Sequence, residues 1–196
     1  MTTKELIYQK SIELFSKYGY SNLGMRDLAK HVGIRAASIY NHYVSKEQIL
    51  LQIADELVEQ MKLHVYPLFK QLKLAPREFF TNISLETNRF FETSKINQLT
   101  NILIPVQHTS EKLRTILHEE FIIKPRTAFT YYFDTLIKKG KMEPVNANLA
   151  ARFYHSFFIY HFYEKYLTPT PKGFLTNNED LFKSHINLFM DYFKIT

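Results

Sequence analysis

Cysteine is absent from the 196 residues. That absence excludes a disulfide framework, a thiolate zinc site and a cysteine nucleophile, and it suits a reducing compartment. Tryptophan is missing too, and glycine occurs only five times. No run of 18 apolar residues exists; the most apolar stretch, residues 156–163, is short and holds His161, so no membrane span is expected. No signal peptide is expected either, because Met1-Thr2-Thr3-Lys4-Glu5 passes directly into an amphipathic pattern. The expected location is the cytoplasm. Phosphate-binding glycine loops, Gly-x-Ser-x-Gly and HExxH are all lacking, so neither an enzyme nor a cofactor is expected.

What is present is basic, apolar and aromatic. The formal net charge is +6 and hydrophobic residues make up 45% of the chain, enough for a real core. Residues 1–50 hold seven Lys and Arg against four Asp and Glu, so the first quarter carries +3, half of the excess. That bias hints at a polyanion contact near the start of the sequence.

Glycine and proline divide the chain. Gly19, Gly24 and Gly33 fall early, whereas the prolines stand at 67, 76, 105, 125, 144, 169 and 171. Short helices joined by glycine turns therefore precede longer helices punctuated by proline. Ile7, Ser11, Leu14, Phe15 and Tyr18 form a helical stripe that stops at Gly19, predicting a helix over 3–18. Further helices are predicted over 25–32 and 36–42. Another starts near Lys46, with Ser45 as N-cap and Gln48 at capping-box spacing, and must stop before Pro67. Pro76 opens the next. Residues 95–140 read as two or three helices interrupted at Pro105 and kinked or broken at Pro125. Lys138-Lys139-Gly140-Lys141 reads as an ordinary helix C-terminus. Asn146 is the expected N-cap of a long helix through about Leu167, Pro169 and Pro171 make a loop, and a last helix runs from about Asn178 to Lys194. No strand pattern competes, and no internal repeat appears. The expected fold is all-α.

Residues 25–44 carry the most informative spacing. Ala29 is small enough for two helices to cross closely. Gly33, four residues on, tolerates the positive φ of a tight turn. Leu28, Val32, Ile34 and Ile39 wedge the helices together. This is the pattern of a helix-turn-helix, although a helical hairpin with no DNA role uses the same residue types.

The sequence resembles the TetR family of repressors. The resemblance is carried by Leu14-Phe15, Gly19-Tyr20, Met25-Arg26-Asp27-Leu28-Ala29, Gly33-Ile34, Ile39-Tyr40-Asn41-His42-Tyr43, Ser45-Lys46-Glu47 and Leu50. It covers about the first 50 residues. Beyond them only length, helical character and two long terminal helices agree. Two departures stand out: Arg35 occupies the place where a capping Ser is common, and Gly24 precedes the second helix where a Ser or Thr would cap it.

The resemblance implies a three-helix DNA-binding head over 1–48 on a larger helical effector-binding and dimerisation domain over 49–196. It places Ala36, Ala37, Ser38, Tyr40, Asn41 and His42 on the recognition helix. There the alanines can meet thymine methyl groups, Asn41 an adenine, and Tyr40 and His42 phosphates. Arg26 implies a guanine contact, Lys46 a phosphate contact, and Arg35 a side chain turned to DNA. Each also has a plainer reading: Tyr40 as packing, His42 as scaffold, Lys46 and Arg26 as solvated charges, the alanines as good helix formers.

Two late helices are apolar over more than one face. One carries Leu149, Phe153, Phe157 and Tyr160 beside Ala150, Tyr154, Phe158 and Phe162; the other carries Leu181, Leu188 and Tyr192 beside Phe182, Ile186, Phe189 and Phe193. Such helices must be covered on more than one side. An intrachain core does this, and a pairing with a second copy, as in TetR-like dimers, does it more naturally. The expected dimer residues are Phe153, Phe157, Tyr160, Leu181, His185 and Phe189. The aromatics between 66 and 166 favour a pocket for an apolar or aromatic effector. His108, His118, His155 and His161 could serve that pocket, but their spacing matches no metal motif. The expected partners are thus a double-stranded operator, a small-molecule effector and a second copy of the chain. A helical ligand-binding protein without DNA function and a non-specific architectural DNA protein remain as alternatives.

Overall fold

The computed structural model describes residues 1–167 and 178–196; the loop expected around Pro169 and Pro171 lies outside the described residues. Ten α-helices follow one another among the described residues, with no strand: α1 (Thr3–Tyr18), α2 (Met25–Val32), α3 (Ala36–Ile39), α4 (Lys46–His64), α5 (Pro76–Glu92), α6 (Ser94–Leu103), α7 (Glu111–His118), α8 (Lys124–Lys138), α9 (Ala147–Leu167) and α10 (Asn178–Tyr192). The chain forms two compact units. The first comprises residues 1–59 and 92–117, the second residues 60–91 and 118–196. No described helix is long and apolar enough to cross a membrane.

In the first unit, α1 packs on α2 and on α6, and α2 packs on α3. The start of α1 is closed by a capping box: Thr2 Oγ1 accepts from the Glu5 amide, and Glu5 returns a bond to the Thr2 amide. Ile7, Leu14 and Phe15 are buried as the stripe predicted, whereas Tyr18 at its end is exposed. Ser11 is buried as well, and its hydroxyl donates to the Ile7 carbonyl at 2.8 Å.

The helix starting at Lys46 is capped by Ser45, whose Oγ accepts from the Gln48 amide at 3.2 Å. The return bond differs from the expected box. Gln48 Oε1 accepts from the Val44 amide at 2.9 Å, one residue before the cap. The third helix is also shorter than the predicted 36–42. After Ile39 the amides of Asn41 and His42 bond three residues back, to Ser38 and Ile39, so the backbone tightens into turns.

The second unit buries a cluster rich in aromatics that includes Phe79, Phe80, Phe129, Tyr132, Phe133, Tyr154 and Phe189. Its helices are shaped by proline and glycine as the sequence suggests. Pro76 opens α5, and Asn146 Oδ1 caps α9 by accepting from the Leu149 amide at 3.0 Å. Pro125 does not break the chain. A π-helical turn over Glu119–Ile123 precedes it, and the Lys124 amide bonds to the Glu119 carbonyl. The wider turn absorbs the amide that Pro125 lacks. Gly140 ends α8 at φ 66°, with the Lys141 amide bonded to the Leu136 carbonyl, an ordinary helix end.

Candidate functional site

The turn between α2 and α3 is built by Gly33. Its φ is 81° and its ψ 27°; its amide bonds to the Lys30 carbonyl, and the Ile34 amide reaches back to Ala29 at 3.0 Å. These are the two bonds of a Schellman motif, which ends one helix and aims the next. A Cβ at residue 33 would meet nothing within 4 Å, so glycine is required by the left-handed backbone and not by lack of space. Leu28, Ala29 and Ile39 are fully buried, and Val32 and Ile34 are half-buried. The wedge read from the spacing is therefore in place.

The opposite face is left to solvent. Arg26, Arg35, Ala36, Ala37, Tyr40 and Asn41 are exposed, while Ser38 and His42 are half-buried. Arg35 stands at the N-cap of α3 in extended backbone and gives no side-chain cap. Its guanidinium has no acceptor for amide protons. Gly24 likewise has no side chain to cap α2. Asp27 compensates in part, its Oδ2 accepting from the Gly24 amide at 2.8 Å. Arg26 and Arg35, on opposite sides of the turn, thus present cations and flexible donors beside small side chains, a surface suited to a phosphate-lined groove.

Lys46 is placed differently. Its ammonium donates to the Tyr20 carbonyl at 2.8 Å and to the Leu23 carbonyl at 2.7 Å, and lies 4.1 Å from the Tyr20 ring centroid. Burial lowers its pKa. Two of its three donors are committed within the unit, so it fastens the loop between α1 and α2. The motif spacing gave no sign of this.

The expected dimer residues separate into three groups. Phe153 is 56% exposed and Tyr160 66%; their neighbours on the same stripes, Leu149, Leu188 and Tyr192, are 66%, 70% and 73% exposed. Phe157, Leu181 and His185 are half-buried. The Phe157 and His185 rings stack at 3.9 Å and 7°, joining α9 to α10. Burial pushes the His185 pKa down, against the Tyr154 carbonyl that its Nε2 faces at 3.3 Å. Phe189 corrects the expectation. It is 1% exposed, enclosed by Phe80, Phe133, Tyr154 and Phe193 of its own chain, and offers no surface to a partner. Position 189 lies on the inner stripe of α10, one residue from the outward Leu188, a distinction that apolar character alone does not make.

The second unit also contains a cavity with about 890 Å³ of empty space, solvent at its mouth included. Aromatic side chains line much of its wall, from α5, α8, α9 and α10 and from the turns over Tyr66–Lys70 and Glu119–Ile123. His155 and His161 line it; His108 and His118 do not. Sequence reasoning missed its charged corner. Buried Glu120 accepts a hydrogen bond from the Tyr66 hydroxyl on one oxygen and lies 2.6 Å from Lys124 Nζ on the other. Among the described residues no group of three or more His, Cys, Asp or Glu is gathered to hold a metal.

Comparison with known proteins agrees with this geometry. The family model for bacterial regulatory proteins, tetR family, matches residues 7–53, which span the helix-turn-helix. The biofilm operon icaADBC HTH-type negative transcriptional regulator IcaR of Staphylococcus epidermidis is 44% identical over 46 residues, 24% of this chain and 25% of that protein. The chain thus matches only about a quarter of the length of that curated relative. Whole-chain likeness comes from structures. A TetR family transcriptional regulator from Pseudomonas syringae has a TM-score of 0.68 at 20% identity, covering 96% of this chain and 95% of that one. AibR in complex with isovaleryl coenzyme A and operator DNA has a TM-score of 0.66 at 17% identity, with both chains covered completely. At such identities these likenesses show the fold. The first part of the chain thus matches the tetR family model, and the chain as a whole shares the all-helical fold of tetR-family regulators.

Proposed function

We propose that the chain is a homodimeric repressor that binds a palindromic operator and is released from it by a small apolar or aromatic effector. The observation that carries the reading is the exposed row of Arg35, Ala36, Ala37, Tyr40 and Asn41 directly after a Schellman turn, with Arg26 on the neighbouring helix. These side chains are exposed in the first unit, and base edges and phosphates would use all of them. Residues 1–48 serve as the DNA-binding part and residues 49–196 as the effector and dimer part. Ser38 and His42 add contacts at the edge of the row. Lys46, with one donor uncommitted, contributes least directly.

Dimerisation is supported by the exposed apolar side chains of α9 and α10. Leu149, Phe153, Tyr160, Leu188 and Tyr192 leave a patch of the kind that water penalises and a second copy would cover. Half-buried Phe157, Leu181 and His185 lie at its edge. Two heads held by such a pairing suit half-sites one DNA turn or a multiple of it apart. The effector acts by linkage: a molecule that prefers one conformation of the second unit lowers operator affinity by the ratio of its affinities for the two. IcaR, a negative transcriptional regulator, favours repression, and AibR, which shares the fold, binds isovaleryl coenzyme A and operator DNA.

Selection of bound duplexes from a random pool tests the reading. A palindrome should be enriched, and its preference should survive raised salt. A lone half-site overturns the dimer. No enrichment beyond bulk DNA leaves a helical ligand-binding or architectural protein in its place.

A further inference from the structure

The cavity of the second unit has an uneven chemistry. Phenylalanine is the commonest residue of its wall, with Phe69, Phe91, Phe121, Phe158 and Phe162 among them. The charges that reach it are already matched. Glu120 is held by Tyr66 and by Lys124 Nζ, and neither His161 nor Lys165 is free. The hydroxyl of Ser84 lies 3.1 Å from that of Tyr154. Thr87 and Asn88 line the wall too, and neither carries a charge.

His155 is the exception. It projects from α9, lies 6.0 Å from the Phe129 ring and is only 7% exposed. Its Nδ1 is shielded from water and has no hydrogen-bond partner among the described residues. A buried polar atom without a partner is uncommon, because its desolvation is not repaid. Burial first, and the charge of Arg126 second, push its pKa down to about 4, so the ring is neutral at neutral pH. A neutral imidazole nitrogen donates or accepts according to tautomer, and a hydroxyl or an amide can meet either.

We propose that the cavity takes an uncharged amphiphile, with an apolar or aromatic body against the phenylalanines and one hydroxyl, carbonyl or amide group hydrogen-bonded to His155 Nδ1. The proposal rests on the effector reading and narrows it to a chemical class. An ion entering this wall would shed its hydration where the charged groups already hold partners. A neutral head sheds less and satisfies the open nitrogen of His155.

Displacement of N-phenyl-1-naphthylamine, an uncharged fluorophore that brightens in apolar sites, tests the class. Octan-1-ol, octanoate and octylammonium share one tail and differ only in the charge of the head. At neutral pH the alcohol should displace the dye at about tenfold lower concentration than either ion. His155→Phe should weaken the alcohol by about the same factor and leave the dye bound, and His155→Gln should restore most of the loss. If the phenylalanine variant loses its helical circular dichroism, the imidazole ¹⁵N shift of His155 on adding octan-1-ol to the unaltered protein replaces it, and an unmoved shift overturns the proposal. A preference for octanoate or octylammonium overturns it, as does an alcohol affinity indifferent to His155→Phe. If the dye does not brighten and none of the three raises the melting temperature, the effector reading falls along with this one. A bright dye with the wrong ranking removes only the neutral head.

Discussion

In the first unit, shielded polar groups find partners close at hand. The Tyr8 hydroxyl donates to Glu56 at 2.5 Å, Lys95 pairs with the other Glu56 oxygen at 2.5 Å, Ser110 donates to Glu47 at 2.5 Å, and Tyr43 donates to Gln52 at 2.8 Å. Burial, then the bond to Glu56, raises the Tyr8 pKa, which keeps that hydroxyl a donor. In the second unit Arg126 Nε, the Tyr132 hydroxyl and His155 Nδ1 are shielded and have no hydrogen-bond partner among the described residues, and large apolar side chains on α9 and α10 face water. A satisfied polar network fixes one shape, and a partly satisfied one is costly unless something else completes it. The difference fits a division of labour in which one unit presents a rigid reading surface and the other keeps places for molecules that come and go.

The sharpest way to break that comparison is on α10, where adjacent residues face opposite ways. Phe189→Asp removes a fully buried ring and sets a carboxylate in its place, at a cost of about 5 kcal/mol or more. Helical circular dichroism of the second unit should collapse. Leu188→Asp combined with Tyr192→Asp puts the same charge on side chains 70% and 73% exposed. Helix content should stay, sedimentation should report a monomer, and operator affinity should fall toward that of a single site. A double variant that remains dimeric would remove the α9–α10 face as the seam.

Acid should separate the units next. The folded His155 holds its proton only below about 4, against an ordinary 6.5. The unfolded chain therefore binds the proton more readily between those values. The stability that His155 contributes is whole above about pH 6.5 and is lost as pH falls toward 4, by about 3 kcal/mol in all. His185, with its pKa also lowered, acts in the same direction. Denaturant unfolding across that range should show the loss in the second unit, and His155→Phe should flatten the slope. An equal slope in the variant would mean that other groups carry the acid sensitivity.

Much of this was legible in the sequence where a backbone constraint has a residue signature. Gly33, Pro76, Asn146 and Gly140 each mark a helix end by local chemistry, and the structure places those ends where they were expected. The exposed row of the recognition helix followed from the same turn. Legibility fails where an outcome depends on distant partners. Phe189 and Leu188 are equally apolar, and only the packing of α10 on the aromatic cluster decides which one is buried. Glu120 and Tyr66 lie 54 residues apart, so their pairing has no local trace. The short α3 is a milder case: nothing in Tyr40-Asn41-His42 stops a helix, yet the Asn41 and His42 amides bond back to Ser38 and Ile39 just before the buried Tyr43.

Lys46 gives the finest test, because it divides shape from contact within the reading unit itself. A phosphate ligand should be extended toward solvent, yet this ammonium spends two donors on Tyr20 and Leu23 and rests on the Tyr20 ring. Lys46→Met keeps the length and apolar stem and removes only the charge and the donors. If the side chain mainly fastens the loop, the first unit should lose about 1–2 kcal/mol, the scale of hydrogen bonds from a charged donor in a partly solvated place. The salt dependence of binding to non-specific duplex should then change by well under one unit of slope per subunit. Arg35→Ala should do the reverse: stability nearly unchanged, because Arg35 is exposed and caps nothing, and a slope lower by about one. A Lys46→Met protein as stable as the parent, with its slope lowered by about one, would return Lys46 to the phosphate backbone and leave the loop between α1 and α2 held by its own packing.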